Sequence, residues 1–250
     1  MKNILIQAHR WVRHSIWLLK SNIRLSLFLG MLYLSLYILP GVANLQFLMP
    51  ITILAWPIVI AVYVNAYKKI SLNKPFLFRD IFKIPRKSIR TLLALGVICL
   101  AYTIFMSLVL GDSFQSVMLL SQEPDGTAYL AKELGIMLIQ LILLSVPLLM
   151  ATWFSPLLII YNEFTLFKAI KSSLAGSLLF IFPIVLAWFI LLCCFLSITF
   201  ILMLLLMQGS QVISFFANLL FIISLTGYIS TLFAFQYVTY KDIFKSLTIK

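Results

Sequence analysis

Two histidines, seven carboxylates and three cysteines carry most of what this 250-residue chain could offer to acid–base, metal or thiol chemistry. A catalytic centre needs a nucleophile, a base or a metal set within mutual reach. His9 and His14 stand five residues apart, a spacing that does not stack them on one helical face as shared metal ligation requires. Cys99, Cys193 and Cys194 lie in apolar stretches without a C-x-x-C, and an adjacent pair is a poor disulfide or metal framework. They read as small apolar fillers. Asp112, Glu123, Asp125 and Glu133 fall on one side of the chain's topology and could hold a cation, but solvated acidic turns are the simpler reading. No catalytic, cofactor-binding or metal-ligating residue is assigned, and no cofactor is expected.

A carrier coupled to an ion usually keeps an ionisable residue at membrane depth. The apolar stretches hold none in their interiors. Their polar residues are mild, among them Thr103, Ser107, Gln140, Ser145, Thr152, Ser155, Ser197, Thr199 and Asn218. Hydrogen bonds of such residues between membrane helices contribute about 0.6 kcal/mol each, so packing is the default role. Prolines are the better pointers to a site. Pro50, Pro57, Pro147, Pro156 and Pro183 lie in or near the apolar stretches. Each removes a backbone bond and can leave a carbonyl free toward the bundle interior. Trp153, Ser155 and Pro156 form the candidate intramembrane patch on this ground. Ordinary proline kinks are the competing explanation.

The elements that must position these residues follow from composition. The chain is 63% hydrophobic and 10% charged, with a mean hydropathy of +1.09. A soluble domain of this length cannot hide that much apolar surface, whereas lipid accepts it. The expected fold is all-α: a polytopic membrane protein with six transmembrane helices, preceded by an N-terminal interfacial helix. The spans are expected at 25–39, 45–66, 88 or 91–110, 134–160, 178–206 and 212–238, the fifth kinked near Pro183. Residues 1–24 read as the cytoplasmic amphipathic helix, 25–238 as the transmembrane domain and 239–250 as a cytoplasmic tail. In the first helix Ile4, Ala8, Trp11, Val12, Ser15, Leu18 and Leu19 share one face. Trp11 and Trp17 suit the headgroup level. The helix reads as an interfacial anchor, with lipid sensing as the alternative. Its five spread cations and lack of a small-x-small site argue against a cleavable signal.

Of 19 Lys and Arg, 18 fall in the two terminal segments and the alternate connections 67–90 and 161–171, leaving only Lys132 on the other side. This is a strong positive-inside signal that places both termini in the cytoplasm. Arg10, Arg13, Lys68, Lys69, Arg86, Lys87 and Arg90 are the expected contacts to anionic lipid headgroups, the polyanion nearest to them. The net charge of +12 is thereby explained without nucleic acid.

A threefold parallel helix-pair repeat is also legible. Tyr67-Lys68-Lys69-Ile70, Tyr161-Asn162-Glu163-Phe164 and Tyr240-Lys241-Asp242-Ile243 close the second, fourth and sixth spans. Lys20, Arg24 and Gly30 match Arg86, Arg90 and Gly96 at an offset of 66, and Lys20-Ser21-Asn22-Ile23 matches Lys171-Ser172-Ser173-Leu174 at an offset of 151. The unit is a basic lead segment, a span out and a span back. Generic Tyr and Lys anchors at membrane surfaces are the alternative explanation.

Trp153-Phe154-Ser155-Pro156-Leu157-Leu158-Ile159-Ile160, followed by Ala169-Ile170-Lys171-Ser172-Ser173, resembles a signature of a family of proteobacterial six-helix integral membrane proteins of unknown function. Tyr240-Lys241-Asp242-Ile243-Phe244 is similar to that family's usual ending, and Pro50, Pro57 and Phe76-Leu77-Phe78-Arg79-Asp80-Ile81-Phe82 also fit. The family is similar in layout to the membrane domain of some glycerophosphodiester phosphodiesterases. The resemblance implies an inner-membrane location and no reaction. The expectation is a non-enzymatic protein that interacts with lipids or serves a membrane complex as subunit, scaffold or regulator. The alternative is a transporter or lipid-handling protein for a small or amphiphilic substrate, with its site between the repeats.

Overall fold

In a computed structural model the chain is described over residues 2–42, 45–72, 78–120, 127–207 and 211–245. The described residues form nine α-helices and no strand. Helix α1 (Lys2–Ser21) is followed by α2 (Ile23–Ile38), whose start is capped by the Asn22 side-chain oxygen accepting from the Leu25 amide at 3.3 Å. Pro40 and Gly41 end that span in a single tight turn. Then come α3 (Leu48–Ser71), a short turn at Phe78–Phe82, α4 (Arg86–Leu120) and α5 (Thr127–Trp153). The chain closes with α6 (Ser155–Tyr161), α7 (Leu166–Leu179), α8 (Ile181–Leu206) and α9 (Gln211–Lys245). Six segments are long and apolar enough to cross a membrane, with α5 and α6 together making the fourth. The protein is an all-α polytopic membrane protein.

Several boundaries move from the expected ones. Helix α4 continues past 110 to Leu120, so Asp112 lies in a helix and not in a turn. At 1.5 Å per residue Asp112 stands about 33 Å from Arg90, which is about one hydrocarbon thickness away. Glu133 likewise sits inside α5, while Glu123 and Asp125 lie outside the described residues. The fifth span starts at Ile181. Pro183 cannot donate to the carbonyl four residues before it, and the chain breaks at Phe180 with φ −114° and ψ 23°. Residues 178 and 179 therefore close the separate helix α7. Helix α9 runs on through Lys245, so residues 239–245 of the expected tail are helical; 246–250, including Lys250, lie outside the described residues. Lys74, Phe76 and Leu77 are outside them as well.

The predicted face of α1 is the buried one, with Ala8, Trp11, Val12, Ser15 and Leu18 turned inward against α8 and α9. Trp11 is packed inside the bundle and is not a half-wet surface ring. Its ring lies 6.3 Å from Phe235 and 6.5 Å from Phe180, and its indole N–H donates to Asp242 at 2.9 Å. An indole buried with a carboxylate partner satisfies its polar atom without water. Trp17 is half exposed, as expected.

The core gathers at the end of the bundle that carries most of the basic residues. It comprises Ile60–Ile70 of α3, Leu92–Cys99 of α4, Phe154–Ile159, and Phe233–Ile243 of α9. Toward the other end the α4–α5 and α8–α9 hairpins each stay paired but do not approach each other closely. Lipid is as apolar as these side chains, so spans gain little by touching except where small residues allow close backbone packing.

The three expected units are visible in the contacts. Each lead segment leans on the returning helix of the preceding unit: α1 on α9, the Phe78–Phe82 turn on α3, and α7 on α5 and α6. Two outgoing helices do the same, α2 on α9 and α4 on α3. Gly30 and Gly96 mark these two seams. A Cβ at Gly30 would meet the Thr226 carbonyl oxygen at 2.5 Å, and one at Gly96 the Leu54 carbonyl oxygen at 2.1 Å. The third outgoing helix, α8, packs on α9 and α1 but makes no comparable seam with α5.

Candidate functional site

The chain breaks between α5 and α6 because Pro156 has no N–H for the Thr152 carbonyl. A broken membrane helix is a site only if its freed groups stay free. Here side chains take several of the backbone groups around the break. The Ser173 hydroxyl donates to the Met150 carbonyl at 2.8 Å and accepts from the Phe154 amide at 3.0 Å. Ser155 donates to the Ala151 carbonyl at 2.5 Å, and the Gln236 amide donates to the Trp153 carbonyl. Ser177 adds a longer bond to Met150 at 3.3 Å. Ser155 and Pro156 are buried. Two of the three patch residues are therefore buried at a helix break whose neighbouring backbone groups are bonded.

Trp153 differs. It lies 6.1 Å from Phe235 on one side and lines an apolar groove of about 210 Å³ on the other. Its buried indole N–H has no partner among the described residues. The groove lies between α5, α7 and α8, walled by Leu149, Met150, Ile181, Val185 and Trp188. It occupies the third seam, where α8 would rest on α5 if it followed α2 and α4. The offset of 151 that carries Lys20 onto Lys171 also carries Gly30 onto Ile181, and Gly96 maps there too. Two seams have glycine where backbones touch. The third has a β-branched residue facing a gap.

Ser173 and Gln236, which hold the break together, were not among the expected site residues. Ser173 stood only within the repeat motif and the stretch that carries the family resemblance. Gln236 carries a side-chain amide in the last turns of the sixth span, and that was the available signal. Its partner lies 83 residues away.

The three repeat tyrosines are not loose surface anchors. Tyr67 is buried and its hydroxyl donates to the Ser230 carbonyl at 2.8 Å. Tyr161 and Tyr240 have ring centroids 5.7 Å apart, and Tyr240 bonds the Asn162 side-chain oxygen at 2.5 Å. Lys68 lies 4.2 Å over the Tyr161 ring, a cation–π contact that joins α3 to α6. Of the expected headgroup contacts, Lys68 is thus engaged within the bundle and Lys69 is half-buried beside it. Arg10 pairs with Asp242 at 2.6 Å while remaining exposed. Arg13, Arg86, Lys87 and Arg90 are exposed.

Comparison of the chain with protein-family models, with curated proteins and with solved structures finds no match.

Proposed function

We propose that this protein is a non-enzymatic, lipid-interacting component of a bacterial inner membrane, with both termini cytoplasmic, acting as subunit, scaffold or regulator of a membrane complex. The resemblance in the Trp153–Ile160 and Ala169–Ser173 stretches supports the location. The charge distribution supports the orientation. The observation that carries the lipid reading is the unfilled third seam. Its walls are apolar, it opens between spanning helices, and its free volume is about 210 Å³. An acyl chain matches so apolar a lining.

Native mass spectrometry after gentle extraction tests this reading. The wild type is expected to retain about one lipid per chain, and Val185→Trp, which fills the groove, to lose it. Equal retention by both proteins would sink the acyl-chain assignment. A stoichiometric protein partner would identify the complex served. The lateral opening also favours a second reading, lipid handling, for which the bound lipid exchanges rapidly with labelled vesicles.

Orientation has its own test. A reporter enzyme active only outside the cytoplasm should work when fused after Leu120 and fail when fused after Lys250. The opposite pattern would invert the topology.

A further inference from the structure

The crossing of α1 and α9 leaves a space of about 320 Å³ lined by Arg10, Trp11, His14, Tyr237, Lys241 and Asp242. A second space of about 330 Å³ adjoins it, sharing Arg10 and His14 and adding Arg13 and Trp17. Arg10, His14 and Lys241 thus share the first space with one carboxylate, and Arg13 lines the second. That carboxylate is already engaged, since Asp242 accepts from Arg10 Nη2 at 2.6 Å and from the Trp11 indole at 2.9 Å. A guanidinium has five N–H donors, so one bond to Asp242 leaves Arg10 four for another acceptor. The Tyr237 hydroxyl is bonded to Ser71 at 2.8 Å.

We propose that this pocket binds a phosphate-type oxyanion, held by Arg10, His14 and Lys241 with Arg13 at the rim. Guanidinium and ammonium groups converging on a small open space match the geometry and charge of a tetrahedral oxyanion. The anion has two sources, a soluble phosphate or the phosphodiester of a lipid headgroup. Half-exposed Trp17, whose ring stands 5.4 Å from His14, suits the headgroup level. The assignment stands independently of the acyl-chain groove, which lies on the α5 side of α8.

His14 reports on the site. Burial, then the charges of Lys241 and Arg10, hold its imidazole below the ordinary 6.5. The groups that face it are Arg10 and Arg13 on α1 and Tyr237, Lys241 and Asp242 on α9. Helix α8, which also packs on α1, has no charged residue, while α2 and α3 bring Arg24, Lys68 and Lys69 to the same end without lining the pocket. An anion among these cations favours protonated His14. Binding therefore takes up a proton, and affinity rises as pH falls toward the lowered pKa of the free site.

The chain has two histidines, so histidine-selective isotope labelling yields two NMR signals, and exposed His9, a third of a turn or more off the His14 face, serves as reference. The full-length protein is titrated with pH in detergent, with and without sulfate, which keeps its charge across the range. It is titrated again in nanodiscs of phosphatidylglycerol and of phosphatidylcholine. A His14 midpoint raised by sulfate, with His9 unmoved, supports a site open to soluble anions. A midpoint raised only by phosphatidylglycerol assigns the site to a lipid headgroup. Lys241→Gln, an exposed change that should leave the fold intact, is expected to weaken the response about tenfold. Arg13→Gln should weaken it less. His14 insensitive to every anion, His9 and His14 moving together, or a Lys241→Gln response equal to wild type would each overturn the proposal.

Discussion

Gly96→Val is expected to prevent the protein from accumulating in folded form, and Gly96→Ala to lower its thermal midpoint by about 5–10 °C. A Cβ at Gly96 would stand 2.1 Å from the Leu54 carbonyl oxygen and 2.9 Å from its carbon. Both are backbone atoms of α3, so no side-chain rotation relieves the clash. The helices must separate, and contacts are lost along the whole α3–α4 seam. Overpacking typically costs about 1–3 kcal/mol, and in a chain of this size each kcal/mol shifts the midpoint by about 2–4 °C. Gly111 is the control. It lies on the same helix with nothing within 4 Å of its would-be Cβ. Gly111→Ala should leave stability unchanged or raise it slightly, because alanine favours helix by about 1 kcal/mol. Heating in detergent followed by size-exclusion chromatography reads both variants. Equal midpoints for Gly96→Ala and wild type would mean that the seam is not close-packed.

Ser173→Ala should be nearly as damaging, through polarity instead of volume. It removes the acceptor of the Phe154 amide and the shorter of two donors to the Met150 carbonyl. Leaving a buried amide without a partner costs about 1–3 kcal/mol. Water is not at hand in a spanning helix to replace the hydroxyl. The cause of the open amide is Pro156, so the two sites should couple. Pro156→Ala restores an N–H and lets the helix run on, returning the Phe154 amide to the Met150 carbonyl. Pro156→Ala in the Ser173→Ala background should therefore recover part of the loss. A double-mutant cycle by chemical unfolding should show a coupling of about 1–2 kcal/mol. Costs that add within about 0.5 kcal/mol would show that Ser173 does not mend the proline break.

Both predictions concern features that no local reading of the chain could supply. The proline was visible, with an open carbonyl for a ligand and an ordinary kink as its two readings. Its mending depends on Ser173, 19 residues from Phe154, and on Gln236, 83 residues from Trp153. The tyrosine repeat was visible too, but not that Tyr161 and Tyr240 would meet beneath Lys68. The position of Ile181 was open to arithmetic on the repeat. Its meaning was not, because a gap between α5 and α8 is a property of their packing.

By itself the sequence determined what depends on local period and length. The number of spans follows from apolar runs matched to a bilayer, and the inward face of α1 follows from residues three and four apart. The crowding of charge at one end follows from where Lys and Arg stand in the order of spans. Tertiary structure decided the rest: which helix break was closed, which basic residues were engaged inside the bundle, and which of three seams stayed open. Among spans in lipid there is little hydrophobic force to choose partners. The choice falls to close backbone approach and to buried hydrogen bonds, and each needs two residues brought together from distant parts of the chain.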